Sequence, residues 1–398
     1  MSTAAAAPLA GVRVVELGQV LAGPFAGAIL ADLGAEVVKV ERIEGGDDAR
    51  RMGAAFRHDD ALVFHIFNRG KRSVALDLRS EAGRASLEQL LAQADVCIHN
   101  LRPDVPKALG IDGPSVCARH PRLIYGEISA FGHLGPMAMR PGYEPLIQAF
   151  SGLSSTNGGP DDPPLRSGAS VCDQGSGMWL VIGVLAKLHE RAQTGRGGML
   201  QTSLLETALV WNGQKSDAYL NEGRLPARHR SGHPGFVPYE AFDTADGPLL
   251  ICCGNDRLFA KLAEVLDRRQ WLDDERFATN RARLAHKEEM LAELVPLLSE
   301  RPRAEWVERL EAAGVPCAPI HSVPQALEDP QVQALGLLAQ VPGEDFRLTA
   351  SPLSFDGTRP AIAAAAPRLR RAAQRIGGED GTWWSPCCAW TGSVRGRG

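Results

Sequence analysis

The sequence predicts a protein of the α/β class, in which a mostly parallel sheet is covered by helices on both faces. The first observation is "VRVVEL" (Val12–Leu17), a short β-branched run of the kind that forms a buried strand. "GPFAGAILADLG" follows as a helix, with Pro24 in its first turn and Gly34 just past its end. "AEVVKVE" (Ala35–Glu41) is a second strand, which completes a β-α-β unit.

The alternation of strand and helix then continues along the first half of the chain. The later segments are, in order, "RSVALDL", a helix near Glu81–Gln93, "ADVCIHN" and "PRLIYGEIS". Repeated β-α units are typical of a parallel sheet, because each crossover helix returns the chain to the same end of the sheet.

The pattern changes near residue 220. "GRLPARHRSGHPGFVPYEAFDTADG" indicates a linker, "GPLLICCGN" a strand of a hairpin, and residues 256–266, 285–299 and 303–313 three helices. The predicted domains are 1–215, a large domain with the site, and 216–315, a linker with a small domain. Residues 316–375 are predicted to return to the large domain, and 376–398 to form a poorly ordered tail.

Composition and residue spacing exclude several classes of function. The 398 residues carry a formal net charge of −4, so no basic excess predicts nucleic-acid binding. No apolar run approaches the ~20 residues of a membrane span, and the first residues lack the pattern of a signal peptide. The eight cysteines form no CxxC pair and the ten histidines no metal-binding spacing. We expect reduced thiols in a cytoplasmic protein, and no metal site.

One acid, Asp173, lies among small residues before a long apolar helix. It can be an N-cap, since aspartate is a preferred capping residue. It can also be a half-buried nucleophile, because the N-terminus of a helix favours the ionised carboxylate and a developing anion. The neighbouring Gly168, Gly175 and Gly177 permit close approach of a ligand.

Two further segments permit either a structural or a binding role. The first β-α turn, from Gly18 to Pro24, lacks the GxGxxG spacing of a dinucleotide site, which leaves a structural unit or a pocket for another nucleotide-bearing ligand. Tyr143-Glu144, in "RPGYEPL", is either the polar edge of a pocket or a turn before a helix. Cations that follow successive strands can be solvated charges or can gather phosphates; they are Arg42, Arg79 and Arg102.

Several motifs together resemble one family of enzymes. They are "PLAGVRVVELGQVLAGPFAGAILADLGAEVVKVER", "FNRGKRSVALDL", "ADVCIHNLRP", "PRLIYGEISAFG", "RPGYE", the Asp173 segment with "TGRGG", "AFDTADGPLLICCGNDRLFAKL" and "AGVPCAPIHSVPQALEDPQVQALG". Over roughly residues 8–362 the chain is similar to the class III CoA-transferases, the CaiB/BaiF or formyl-CoA transferase-like family. The resemblance implies a Rossmann-like large domain, a smaller α+β domain and an interlocked, ring-like homodimer.

The resemblance also implies a chemistry and a set of residues. Asp173 matches the nucleophile that forms an aspartyl anhydride and then an aspartyl-CoA thioester. A CoA thioester is the substrate, a small carboxylic acid is the acceptor, and no permanently bound cofactor is required. Tyr143 and Glu144 match active-site residues. The positions that match CoA-binding residues are Leu21, Ala22, Arg42, Leu76 to Arg79, Asn100, Leu101 and Arg102.

The chain departs from the family pattern at three places. Leu21 replaces the glutamine of formyl-CoA:oxalate transferases, their tetraglycine loop is absent, and His99 replaces a commoner glutamate. The first two departures argue against oxalate as acceptor. We therefore predict transfer from an acyl-CoA, such as succinyl-CoA, to a dicarboxylate of four or five carbons. The linker cations of "RHRSGHPG", with His233, either hold the distal carboxylate or are simply solvated.

Two other functions compete with CoA transfer. An α-methylacyl-CoA racemase shares the resemblance but needs a histidine base at the position that Tyr143 occupies here. A non-catalytic acyl-CoA-binding protein is the second alternative, and the intact Asp173 with its neighbouring glycines argues against it.

Overall fold

The computed structural model describes residues 7–369 and Trp384. The chain divides into two compact units. The first comprises Met1–Leu153, Arg166–Glu222 and Gly336–Gly398, and the second comprises Ser154–Leu165 and Gly223–Leu335. Of the predicted tail, 376–398, only Trp384 is described; its ring is 2% exposed and packs into the core of the first unit.

The strands are β1 Arg13–Glu16, β2 Glu36–Glu41, β3 Phe56–Arg57, β4 Asp60–Ala61, β5 Arg72–Ala75, β6 Val96–His99, β7 Ile124–Ser129, β8 Gly198–Ser203, β9 Tyr239–Asp243, β10 Pro248–Cys252, β11 Cys317–Pro319, β12 Leu338–Gln340 and β13 Arg347–Thr349. The helices are α1 Ala22–Asp32, α2 Leu62–Asn68, α3 Glu81–Gln93, α4 Asp104–Leu109, α5 Gly113–Arg119, α6 Glu144–Phe150, α7 Val171–Thr194, α8 Leu204–Trp211, α9 Gly213–Glu222, α10 Asp256–Val265, α11 Asn280–Ala285, α12 Lys287–Leu298, α13 Arg303–Ala313, α14 Val323–Glu328 and α15 Pro330–Ala334.

The first unit is built on a parallel sheet with strand order β5-β2-β1-β6-β7-β8. The predicted α/β fold with a central parallel sheet is therefore confirmed. Strands are added on one side of β1 up to β5 and on the other side from β6 onward, so the order reverses between β1 and β6. In such sheets, ligands bind beyond the carboxyl ends of the strands at this reversal. The loops that follow β1 and β6 are thus the expected walls of a site.

Alternate side chains of the central strands enter two cores, one on each face of the sheet. In β1, Val14 joins the core that contains α1 and α7, whereas Val15 joins the core that contains α3. In β7, Ile124 and Tyr125 are divided in the same way. Both faces are largely apolar because both are covered, which explains why apolar residues stand next to each other in these strands instead of strictly alternating with polar ones.

Strand β8 was not predicted, because "TGRGG" indicates only the end of a helix. Gly195 does end α7, in a left-handed conformation with φ of 72°. The chain then pairs at once with β7 as an edge strand, in which most side chains are only partly buried. A side chain at Gly197 would place Cβ 2.2 Å from the Leu123 carbonyl oxygen, so the glycines permit this close pairing.

The second unit contains an antiparallel sheet of order β11-β10-β9 packed with α10, α12 and α13. The hairpin strand and the three helices predicted here are confirmed. The unit extends beyond the expected 216–315 because β11 pairs with β10 and so draws the following chain into it. It also includes Ser154–Leu165, where the carbonyl oxygens of Gly158 and Pro160 accept hydrogen bonds from Arg230 and Arg228.

Neither a membrane-spanning helix nor a metal-binding cluster is present among the described residues. No helix there combines the length and apolarity needed to cross a membrane. No group of three or more histidine, cysteine, aspartate or glutamate side chains there is arranged to hold a metal ion.

Candidate active site

A cavity of about 1250 Å³ opens at the carboxyl ends of the parallel strands, where the strand order reverses. All of its lining residues belong to the first unit. The predicted site residues that line it are Leu21, Arg42, Leu76, Arg79, Asn100, Leu101, Arg102, Tyr143 and Asp173. The fold thus brings together residues as far apart in the chain as Leu21 and Asp173.

Asp173 is the third residue of α7, within its first turn. The N-cap interpretation is wrong, because the helix begins at Val171 and Ser170 occupies the capping position. Burial and, to a smaller extent, the negative charge of Glu144 together raise the pKa of the Asp173 carboxyl to about 7. The Asp173 carboxyl therefore exchanges its proton near neutral pH, and it lines the cavity.

Glu144 lies behind Asp173 and does not line the cavity. It is the first residue of α6, and its side chain is almost completely buried. Its two carboxylate oxygens accept the backbone N–H groups of Cys172, at 3.1 Å, and Asp173, at 2.6 Å. Gln148 donates a third bond at 2.7 Å. Because the first N–H groups of a helix have no partner within it, Glu144 completes the N-terminus of α7 and fixes the backbone of Asp173.

The loop after β1 forms one wall of the cavity and is held by side chains from other elements. Asn100 accepts the Gln19 N–H at 2.7 Å and donates to the Gln19 carbonyl oxygen at 2.9 Å. Asp47 accepts the Val20 N–H at 3.0 Å. Val20 adopts φ of 63°, an unfavourable conformation for a β-branched residue, so these bonds impose the shape of the loop.

A fully buried ion cluster lies beneath this loop and was missed by the sequence reasoning. The ammonium of Lys39 contacts Glu16 at 2.9 Å, Asp47 at 2.9 Å and the Gly18 carbonyl oxygen at 2.7 Å. Lys71 contacts the other oxygen of Glu16 at 2.7 Å, and burial lowers its pKa to about 8. Glu16 and Lys39 are direct partners in the β1–β2 register. Two opposite charges, each within an otherwise apolar strand, were the feature of the sequence that could have indicated a buried ion pair.

The three predicted cations line the cavity, and each already has an aspartate partner. Arg42 contacts Asp48 at 2.6 Å, Arg79 contacts Asp77 at 3.3 Å, and Arg102 contacts Asp104 at 3.1 Å. All six side chains are exposed, so these pairs are weak and a phosphate can replace the aspartate.

Besides Glu144, two predicted site residues do not line the cavity. Ala22 begins α1, and its side chain is buried in the core rather than in the cavity. His233 lies in the second unit, where its ring packs on Phe236 and Tyr239 with centroids 4.8 Å and 5.2 Å apart. Its Nδ1 accepts the Gly235 N–H at 3.0 Å, so local packing accounts for this side chain.

A family model described as CoA-transferase family III matches residues 9–371. The chain belongs to this family. The resemblance inferred from the motifs is thus confirmed, and so is the enzyme class, a class III CoA-transferase.

Curated relatives and solved structures agree with the membership in CoA-transferase family III. The chain is 39% identical over 344 residues to the succinate–glutarate CoA-transferase of Agrobacterium fabrum, covering 85% of this chain and 86% of that protein. It is 36% identical over 351 residues to the acetyl-CoA:oxalate CoA-transferase of Acetobacter aceti, covering 88% and 90%. The crystal structure of a CAIB/BAIF family protein from Brucella suis superposes with a TM-score of 0.83 at 36% identity, covering 92% and 97%.

Proposed function

We propose that this CoA-transferase moves CoA from succinyl-CoA to a small dicarboxylic acid through covalent intermediates on Asp173. The observation that carries the proposal is a half-buried carboxylate with raised pKa at the head of a helix, inside a cavity at the switch point of a parallel sheet. Relatives named for succinate and glutarate support the donor and the acceptor. Leu21, in the cavity wall, has no side-chain amide that could donate a hydrogen bond to the acceptor acid, which argues against oxalate.

The chemistry proceeds through exchanges in which one bond forms as another breaks. The Asp173 carboxylate attacks the thioester carbon, the C–S bond breaks, and CoA thiolate leaves an aspartyl-acyl anhydride. The thiolate then attacks the Asp173 carbonyl carbon, which releases the donor carboxylate and leaves an aspartyl-CoA thioester. The acceptor carboxylate attacks that thioester, and the released thiolate attacks the acceptor carbonyl of the new anhydride, which regenerates Asp173. Burial of Asp173 protects both anhydrides from water.

We assign the exposed arginines at the strand ends to the phosphates of CoA. Changing Arg79 or Arg102 to Gln is expected to raise KM for succinyl-CoA about three- to tenfold with little change in kcat, since a phosphate contact is made equally in the ground and transition states. Steady-state kinetics at low ionic strength measure this. Arg119→Gln is the matched control, because Arg119 is also exposed and paired with a glutamate, Glu88, but does not line the cavity. A fall in kcat at unchanged KM would contradict the assignment.

A competition experiment tests the proposed substrates. Succinyl-CoA is mixed with equal amounts of carbon-13-labelled succinate, glutarate, itaconate, mesaconate, oxalate and carnitine, and the newly formed CoA esters are quantified by mass spectrometry. We expect glutaryl-CoA or another four- to five-carbon ester to dominate. A preference for oxalate or for the cationic carnitine would refute the dicarboxylate assignment.

The racemase alternative is tested in a separate reaction, with 2-methylacyl-CoA in heavy water. Tyr143 lines the cavity with 70% of its surface exposed. A tyrosine keeps its proton near neutral pH, where a histidine readily accepts one. We therefore expect no rapid uptake of deuterium at the α-carbon of 2-methylacyl-CoA in heavy water.

We propose further that the protein is a homodimer and acts in the cytoplasm. An exposed apolar surface on α7 and α8 supports the first statement; it is formed by Met178, Trp179, Ile182, Leu209, Val210 and Trp211. Apolar surface of this kind commonly marks a protein interface. The free thiols of the described cysteines support a reducing compartment. Light scattering of the purified protein tests the dimer, and localisation of a tagged chain tests the compartment.

A further inference from the structure

His99, the last residue of β6, makes two hydrogen bonds in a site where it is only 1% exposed. Its Nε2 lies 2.7 Å from the hydroxyl of Tyr125, and its Nδ1 lies 3.3 Å from the backbone N–H of Leu101. The Tyr125 hydroxyl is in turn 2.6 Å from the Ile111 carbonyl oxygen. His99 does not line the cavity, but the three residues that follow it do.

The bonding pattern determines which nitrogen of His99 carries the proton. A carbonyl oxygen only accepts, so the single proton of the Tyr125 hydroxyl is donated to Ile111. The hydroxyl oxygen therefore accepts from Nε2–H of His99, and the bare Nδ1 accepts the Leu101 N–H. Burial lowers the pKa of the ring to about 3, so the ring stays neutral and Nδ1 remains an acceptor.

The Leu101 amide lies at a junction between two walls of the cavity. Asn100, on one side of it, holds both backbone groups of Gln19 in the loop after β1. Arg102, on the other side, lines the cavity with its guanidinium exposed. A displacement of the turn at Leu101 would therefore move both the β1 loop and a phosphate-binding cation.

We propose that His99 is a positioning residue for the coenzyme, which holds the turn Asn100–Arg102 in its binding conformation by accepting the Leu101 N–H at Nδ1. The inference rests on the proposed binding of CoA in this cavity. It assigns a role to a side chain that touches neither the substrate nor Asp173, and it identifies Nδ1 rather than Nε2 as the atom that matters.

Two substitutions separate the atoms of the ring. His99→Asn keeps an acceptor oxygen at the position of Nδ1 and loses the contact with Tyr125. His99→Gln extends to the position of Nε2 and leaves the Leu101 N–H without an acceptor. We expect the Kd of free CoA, measured by calorimetry, to rise about tenfold in His99→Gln and no more than about twofold in His99→Asn. The kcat at saturating succinyl-CoA is expected to stay within about twofold of the wild type in both.

Controls distinguish positioning from a loss of stability. Tyr125→Phe keeps Nδ1 intact, so it should bind CoA like His99→Asn even though it removes a buried hydrogen bond. The Tm values of the three variants are compared. The inference would be overturned if the loss of CoA affinity correlated with the loss of Tm and not with the loss of an acceptor for the Leu101 N–H. Equal Kd values for His99→Asn and His99→Gln would also overturn the inference. If the wild type binds CoA, that result leaves the proposed function intact.

Hydrogen exchange gives a readout that needs no variant. The Leu101 amide of the wild-type protein should exchange slowly without ligand and more slowly with CoA, because it is bonded to a buried acceptor. Rapid exchange at Leu101 beside protected amides of β6 would overturn the inference even if His99→Gln failed to fold. Absence of CoA binding by the wild type would instead refute the proposed function, and this inference with it.

Discussion

Replacing Asp173 with asparagine is expected to lower CoA-transferase activity by roughly 10³-fold or more, as loss of a covalent nucleophile does in other enzymes. Asparagine keeps the shape of the side chain and the backbone N–H that Glu144 accepts, so the loss reports the missing carboxylate rather than a collapsed helix terminus. Asp217→Asn, on exposed α9, is the matched control and should retain full activity. Full activity in Asp173→Asn would end the proposed mechanism.

A trapping experiment identifies the covalent residue directly. Wild-type protein mixed with succinyl-CoA in the presence of hydroxylamine is expected to lose activity and to carry a hydroxamate on Asp173, found by peptide mass spectrometry. Hydroxylamine attacks activated acyl groups such as anhydrides and thioesters, so the reaction requires the acyl donor. Modification at another carboxylate, or none, would contradict the assignment.

The Asp173→Asn variant also shows how the raised pKa of Asp173 affects the stability of the fold. The pKa of Asp173 is about 7 in the folded chain and near its ordinary value, about 4, in the unfolded chain. The folded state therefore binds this proton more tightly, and the stability so gained is present below pH 4 and is lost as the pH rises through 7. We expect the Tm of Asp173→Asn to exceed that of the wild type at pH 8, with the difference shrinking as the pH is lowered.

Local patterns in the sequence were sufficient to find the sheet and to single out Asp173, which lines the cavity. Asp173 is recognisable because it lies between apolar residues and a long apolar helix. Burial of these neighbours predicts that the carboxylate is at least partly buried as well. The parallel sheet is recognisable because strands buried on both faces contain adjacent β-branched residues, such as Val14 and Val15 in "VRVVEL". The aspartate partners of Arg79 and Arg102 lie two positions away in the sequence, a signal that the sequence analysis did not use.

The parts that were not predicted depend on long-range pairing. Glu144 bonds to N–H groups 28 and 29 positions further along, and only the packing of α6 against α7 brings them together. Lys39 and Glu16 pair because of the register in which β1 and β2 align. Neither strand sequence by itself determines that register. Strand β8 is a half-buried edge strand with little alternation, so its pairing with β7 rather than its own pattern defines it.

The second large effect is expected from Glu144→Gln, which should lower kcat about 10- to 100-fold. In the wild type, each of the two carboxylate oxygens of Glu144 accepts one backbone N–H group. The glutamine side chain of the variant has a single oxygen for the same two donors. One of these groups, at Cys172 or Asp173, is then left without its acceptor at the head of α7. The geometry of the nucleophile loosens, and a small displacement of a reacting group costs a large factor in rate. Glu206→Gln, a carboxylate in the first turn of α8, is the matched control.

The pH profile of Glu144→Gln separates this geometric effect from an electrostatic one. Glu144 is the negative charge that raises the pKa of Asp173 beyond the effect of burial, so its neutralisation should lower that pKa. Only the ionised Asp173 attacks a thioester, and the acidic limb of kcat/KM, expected near pH 7 in the wild type, should therefore move to lower pH. A reduced rate with an unmoved acidic limb would mean that Glu144 acts through the backbone alone. An unchanged rate with an unmoved limb would remove Glu144 from the active site.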